Sequence, residues 1–88
     1  MDDTLGLIEE AADLARQLGY RVREEPLGDL PGGPCMVGGQ QCILLNLEGS
    51  AAERLDVLLA ALTGDPRAAA QPKSRLLAAR LQAMPGGD

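Results

Sequence analysis

Two cysteines are the residues of this 88-residue chain best suited to chemistry. Cys35 and Cys42 lie on either side of a Gly38-Gly39 pair, within two short apolar runs. A two-residue turn at the glycines would place the thiols opposite each other on one face of a hairpin, with Cα atoms about 5.5 Å apart. This arrangement suits a redox pair or two thiolate ligands for a metal, and it equally suits two small thiols that line a core.

The metal hypothesis lacks further ligands, because the chain contains no histidine. Two sulfur atoms supply only half of a tetrahedral zinc site. The same absence excludes catalytic triads and general bases that use histidine. The chain also lacks the Cys-x-x-Cys pattern of thiol oxidoreductases. We therefore predict no catalytic residue, no metal site and no cofactor, and we keep Cys35 and Cys42 as a candidate redox pair.

Adjacent acids and paired glycines resemble functional motifs, but their spacing favours structural roles. Glu9-Glu10 and Glu24-Glu25 are sequence neighbours, and neighbouring side chains point apart on a helix or a strand. Neither Gly-Gly pair is followed by the Lys-Ser/Thr of a phosphate-binding loop. We predict a solvated acidic surface and ordinary turns at these positions.

The net charge of −5 argues against binding to nucleic acid, because neutralising phosphates supplies much of that affinity. Residues 66–87 are nevertheless basic, with four Arg or Lys and no acid. Such a segment either meets an acidic partner or lies against the acidic first helix of the same chain. The start of the chain does not resemble a secretory signal, and no apolar run is long enough to span a bilayer. We expect a soluble, cytoplasmic protein with reduced thiols and no membrane partner.

Apolar periodicity predicts the elements that position these residues. We predict helices over residues 4–18, 51–62 and 73–84, strands over residues 20–24, 34–37 and 40–47, and a short helical turn over residues 67–71. Ser50 and Glu53 form the capping box of the second helix. The order α-β-β-β-α-α predicts a single α+β domain over residues 1–88, with a three-stranded antiparallel sheet covered by helices on one face.

Two further expectations concern packing. The most apolar strand, residues 40–47, should lie at the centre of the sheet. Residues 26–34 hold three prolines and three glycines and should form a loop, with Leu27 and Leu30 attaching it to the core.

The segment around the second helix resembles ImmA/IrrE-type zinc metallopeptidases. Members of that family show an apolar strand that ends in Asn, then a Ser and the Arg-rich start of the active-site helix. Here the strand is ILLNL at residues 43–47, followed by Ser50 and by the Leu- and Ala-rich residues 53–64. The resemblance covers residues 5–65 and implies a fold like the core of those peptidases.

The catalytic motif of that family is absent from this chain. In the family the helix carries His-Glu-x-x-His, which supplies two zinc ligands and a general base. The first His, the Glu and the second His would fall at Ala61, Leu62 and Asp65, and only Gly64 matches the family. The resemblance therefore implies a peptidase-like scaffold without zinc chemistry, and no catalytic role carries over to any residue.

The chain as a whole is predicted to be a non-catalytic protein-interaction or oligomerisation module. It has 16 leucines and 13 alanines, and Tyr20 is its only aromatic residue. A small core of this kind needs further burial to be stable, which favours a homodimer or a complex with a protein partner. Its composition, rich in Arg, Ala, Gly and Pro, is typical of a small bacterial protein. The alternative is a thiol redox enzyme or sensor that uses Cys35 and Cys42, and it requires an exposed thiol of lowered pKa.

Overall fold

The structure, a computed structural model that describes residues 3–84, has an α+β fold built around one three-stranded sheet. Each element type predicted from the sequence is present in the predicted order, and the ends agree within two residues. Positions 1–2 and 85–88 of the predicted domain lie outside the described residues. The elements are α1 (Thr4–Gln17), β1 (Arg21–Glu25), β2 (Gly33–Val37), β3 (Gln40–Asn46), α2 (Ala51–Thr63), a 3₁₀ helix (Pro66–Ala70) and α3 (Arg75–Ala83).

The sheet is mixed, so the prediction of an antiparallel sheet is wrong. The strand order is β1-β3-β2, which confirms that β3 is central. β2 is antiparallel to β3, but β1 is parallel to it, with Val22 beside Ile43. The reason is the path of residues 26–32, which leave the end of β1, cross the carboxyl end of β3 and enter β2 from that same end. Alternating polarity along a strand indicates its faces but not its direction.

Asn46, the last residue of β3, holds this crossing loop in place. Its Oδ1 accepts a hydrogen bond from the backbone N–H of Leu27 at 2.9 Å. Its Nδ2 donates to the carbonyls of Gly28 at 2.9 Å and Leu30 at 3.1 Å. The Leu30 side chain is 67% exposed, so the prediction that it attaches the loop to the core is wrong. One amide at the strand end replaces the expected apolar contact.

The β2–β3 hairpin has the predicted turn. Gly38 and Gly39 both have positive φ angles, of 56° and 80°, as a type I′ turn requires. This turn opposes Cys35 to Cys42, as the spacing predicts.

Helices cover one face of the sheet. Ile43 and Leu45 of β3 belong to the buried core cluster, together with α1 and α2. All four leucines of α2 are buried. Two leucines of the other helices face solvent, since Leu5 of α1 is 66% exposed and Leu76 of α3 is 54% exposed. The buried residues of α1 are Leu7, Ala11, Ala12, Leu14 and Ala15.

The other face of the sheet carries the alternate residues of β3, which include Cys42. This cysteine is outside the core cluster, although its neighbours on the sheet bury it. Across residues 3–84, no helix is both long and apolar enough to cross a membrane.

Candidate functional site

The structure brings the two predicted thiols together as free cysteines. Cys42 is 1% exposed, and its Sγ lies 3.6 Å from the Gln40 carbonyl oxygen, to which it can donate. Cys35 is half-buried on the outer strand β2. Burial raises the pKa of the Cys35 thiol, and the neighbouring Cys42 raises it further. The positive charge of Arg23 opposes these effects but does not outweigh them.

This environment favours the protonated thiol over the thiolate. A thiol needs thiolate character and access to solvent to act as a nucleophile or redox centre. Cys42 lacks access, and the raised pKa of Cys35 reduces its thiolate fraction at neutral pH. The two thiols are opposed as the redox alternative requires, but the pKa of Cys35 is raised rather than lowered. Among residues 3–84, no three Cys, Asp or Glu side chains form a group that could hold a metal ion.

A second polar cluster, which the sequence analysis missed, joins Tyr20, Asp65 and Arg67. The Tyr20 hydroxyl donates to Asp65 Oδ2 at 3.0 Å. The Arg67 side chain donates to both carboxylate oxygens, with its shortest contact at 2.6 Å. Asp65 is 8% exposed, the only buried charged residue in the described chain. We call this set the Tyr20 cluster.

Local sequence explains half of the Tyr20 cluster. Asp65 follows the end of α2 and caps the 3₁₀ helix by accepting from the Arg67 backbone N–H, a role typical of Asp before Pro. Hydrogen bonds from Arg67 hold the pKa of Asp65 well below its usual range. Burial, reinforced by Asp65, raises the pKa of Tyr20. The cluster links Tyr20, the residue before β1, to the end of α2, and both Asp65 carboxylate oxygens accept hydrogen bonds within it.

The lowered pKa of Asp65 predicts a specific dependence of stability on pH. A carboxyl whose folded pKa is depressed stabilises the fold above its unfolded pKa of about 3.9, and this contribution is lost as the pH falls towards the folded pKa. We expect Asp65→Asn to reduce the free energy of unfolding most at pH 7, and the difference from wild type to shrink below about pH 4.

Urea unfolding of both proteins between neutral and acidic pH measures this difference. Asp56→Asn, a change at an exposed acid of α2, is the control and should have little effect throughout. A constant difference between wild type and Asp65→Asn at all pH values would contradict this assignment.

The outer edge of β1 adjoins an open groove on the helix-covered side of the sheet. We call it the α1–β1 groove; its volume is about 610 Å³. Its apolar part is formed by Leu5, Ile8, Ala12, Val22 and Leu45. Acidic and basic side chains surround this part, and they are Glu9, Asp13, Arg16, Glu24 and Arg54.

The basic C-terminal segment contacts α1 of the same chain, which is the second of the two alternatives that the sequence left open. The Glu10 carboxylate accepts hydrogen bonds from the Ser74 backbone N–H at 2.7 Å and from its hydroxyl at 2.6 Å. The contact lies at the start of α3 and involves none of the basic groups. Within residues 3–84, Lys73, Arg75 and Arg80 form no ion pair.

The positions that correspond to the zinc motif do not form a site. Leu62 is buried in the core, Ala61 packs against it, and Asp65 belongs to the Tyr20 cluster. Comparison of the chain with protein-family models, curated proteins and solved structures found no match. The resemblance to zinc metallopeptidases therefore stays a prediction.

Proposed function

We propose that this chain is a non-catalytic protein-interaction module that forms a homodimer in the cytoplasm. The observation that carries the proposal is the outer edge of β1, which has no strand beside it in the described chain and borders the apolar α1–β1 groove. An unpaired strand edge is a template for another strand, and adjoining apolar surface adds the burial that stabilises such pairing.

Side chains around this edge support the proposal. Leu5 of α1 is 66% exposed, and Ile8 and Val22 are only half-buried at the margin of the core. Exposed apolar side chains that adjoin a groove are more typical of interaction surfaces than scattered ones. The small aliphatic core gives a physical reason for association, because dimer formation removes more apolar surface from water.

Sedimentation equilibrium across the micromolar range tests the proposal. We expect the apparent mass to rise with concentration from that of the 9.2 kDa chain towards twice that value. A mass that remains that of one chain at the highest concentration, in protein purified without a bound partner, would contradict it.

Thiol reactivity tests the non-catalytic part of the proposal against the redox alternative. Because burial raises the pKa of Cys35, we expect it to react with Ellman's reagent more slowly than free glutathione at pH 7. Cys42 should react only when the protein is unfolded, because it is buried. Rapid reaction of either thiol in the native protein, or a reversible bridge between them at a mild potential, would favour the enzyme or sensor instead.

A further inference from the structure

We propose that β1 pairs in antiparallel orientation with β1 of a second copy, with Arg23 on the two-fold axis, so that the two sheets form one sheet of six strands. This inference rests on the proposed homodimer and specifies its surface and register. The backbone groups at each edge of the sheet and the charges along β1 support it.

The outer edge of β1 can form more hydrogen bonds than that of β2. The Glu25 carbonyl faces β3, where it accepts from the Leu47 N–H at 3.0 Å. Backbone groups alternate in direction along a strand, so both polar groups of Val22 and of Glu24 face outward. In β2, the two-residue turn directs Cys35 towards β3 and leaves Pro34 facing outward without an N–H to donate.

A two-fold axis perpendicular to the sheet limits the registers that β1 can adopt with its copy. In any one register, the residue numbers of every opposed pair add to the same sum, which identifies the register. Opposed residues must lie on the same face of the sheet, so this sum is even. A sum of 46 opposes Arg21 of each copy to Glu25 of the other, which makes two ion pairs of opposite charge. It also forms two hydrogen-bonded pairs, each between Val22 and Glu24.

The neighbouring registers are poorer. In the register with a sum of 44, Arg21 lies opposite Arg23 twice. That register also needs the Tyr20 N–H to pair with the second copy, but this N–H already donates to the Ala15 carbonyl at 3.0 Å. A sum of 48 opposes Arg23 to Glu25 twice, but it also opposes the two copies of Glu24 and requires an N–H from Pro26, which has none. The first of these registers is disfavoured because two pairs of like charges lie directly opposite, and the second because Pro26 leaves a backbone hydrogen bond unmade.

The register with a sum of 46 places two copies of Arg23 together, and each already has a counter-ion. Its guanidinium lies 2.6 Å from Glu25 of the same strand. Arg21, by contrast, is exposed and forms no ion pair within the described chain. The pairing gives each Glu25 a second cation and gives each Arg21 its first anion.

The same axis brings the two α1–β1 grooves side by side. Because the axis is perpendicular to the sheet, both copies of α1 lie on the same face of the joined sheet. Leu5 and Ile8 line the groove at this edge and would lie beside the interface. The proposed pairing thus accounts for apolar exposure that the monomer does not bury.

Disulfide trapping tests the register. In a background with Cys35→Ala and Cys42→Ala, Arg23→Cys places the new thiol opposite its own copy at the axis. Arg21→Cys is the matched control, since it changes an exposed arginine on the same strand and face. Its copies would lie four residues apart along the paired strands, a displacement of about 14 Å, beyond the reach of a disulfide.

With oxidised glutathione as oxidant, we expect covalent dimers of Arg23→Cys and little or none of Arg21→Cys. Equal trapping of both variants, or a dimer by sedimentation with no trapping at position 23, would overturn the register and leave the homodimer standing. If the background variant is folded by circular dichroism, and both it and the wild type are monomeric by sedimentation, both proposals are overturned.

Serine substitutions provide a second measurement that needs no cross-link. Arg21→Ser removes both proposed ion pairs, and we expect it to raise the dissociation constant about tenfold. Arg23→Ser removes the like charges at the axis and should leave the dissociation constant unchanged or lower it. Equal weakening by both substitutions would overturn the register.

Discussion

Replacing Gly32 by alanine should destabilise the fold by about 3 kcal/mol, an effect typical of forced overpacking. Gly32 lies just before β2, where the crossing loop passes over the central strand. A Cβ atom at this position would overlap the Leu44 carbonyl oxygen and contact the carbonyl carbon of the same residue at 3.1 Å. These are backbone atoms of β3 and cannot rotate away, so the loop or the strand must shift.

The matched control is the same change at Gly6 in α1. A Cβ atom there meets nothing within 4 Å, and the residue is exposed and helical. Alanine should therefore stabilise the protein by about 0.5 kcal/mol through helix propensity. Urea unfolding of both variants should show opposite signs. Destabilisation by Gly32→Ala no larger than about 0.5 kcal/mol would show that the loop does not cross β3 as closely as described.

Asn46→Ala should destabilise the protein by about 2–3 kcal/mol. The side-chain amide makes three hydrogen bonds to the crossing loop, and its Oδ1 also accepts from the Glu48 N–H at 2.9 Å. Truncation leaves two backbone donors and two carbonyls without these partners, and each loss contributes a fraction of the total because water reaches part of the loop. The midpoint of urea unfolding, with an unchanged m-value, measures the effect.

Asn46→Asp separates the donor role of this side chain from its acceptor role. A carboxylate keeps the bonds from Leu27 and Glu48, but it turns an acceptor towards the carbonyls of Gly28 and Leu30. We expect a loss at pH 7 comparable with that of alanine. The difference from wild type should narrow below about pH 4, where protonation of the new carboxyl restores one donor. If Asn46→Asp is as stable as wild type at pH 7, the two donated bonds do not hold the loop.

Much of the fold could be predicted from local sequence. The capping box at Ser50 and Glu53 fixes the start of α2, and the paired glycines fix the register that opposes Cys35 to Cys42. Both are signals within a few residues. The parallel pairing of β1 could not be predicted in this way, because it depends on the path of a loop that a side chain at the far end of β3 organises.

The candidate site shows the same division between local and distant information. The distance between the thiols follows from the turn, but the raised pKa of Cys35 depends on burial that only the folded sheet creates. The Asp65–Arg67 contact could have been read from a capping pattern two residues long. The hydrogen bond from Tyr20 could not, because Tyr20 precedes the first strand in the sequence and Asp65 follows the last one.

The mixed sheet has a consequence for the order in which its strands assemble. β2 and β3 are joined by two residues, whereas β1 reaches β3 only after the crossing loop and the entire hairpin have been placed. Closing the longer loop costs more chain entropy, so the hairpin should form before β1 joins it. Native-state hydrogen exchange should accordingly show weaker protection for the β1 amides that face β3 than for those of the hairpin. The strand that we propose pairs with a second copy is then the last strand to join the sheet. Association and this last step of folding would be thermodynamically linked, and the melting temperature would rise with protein concentration.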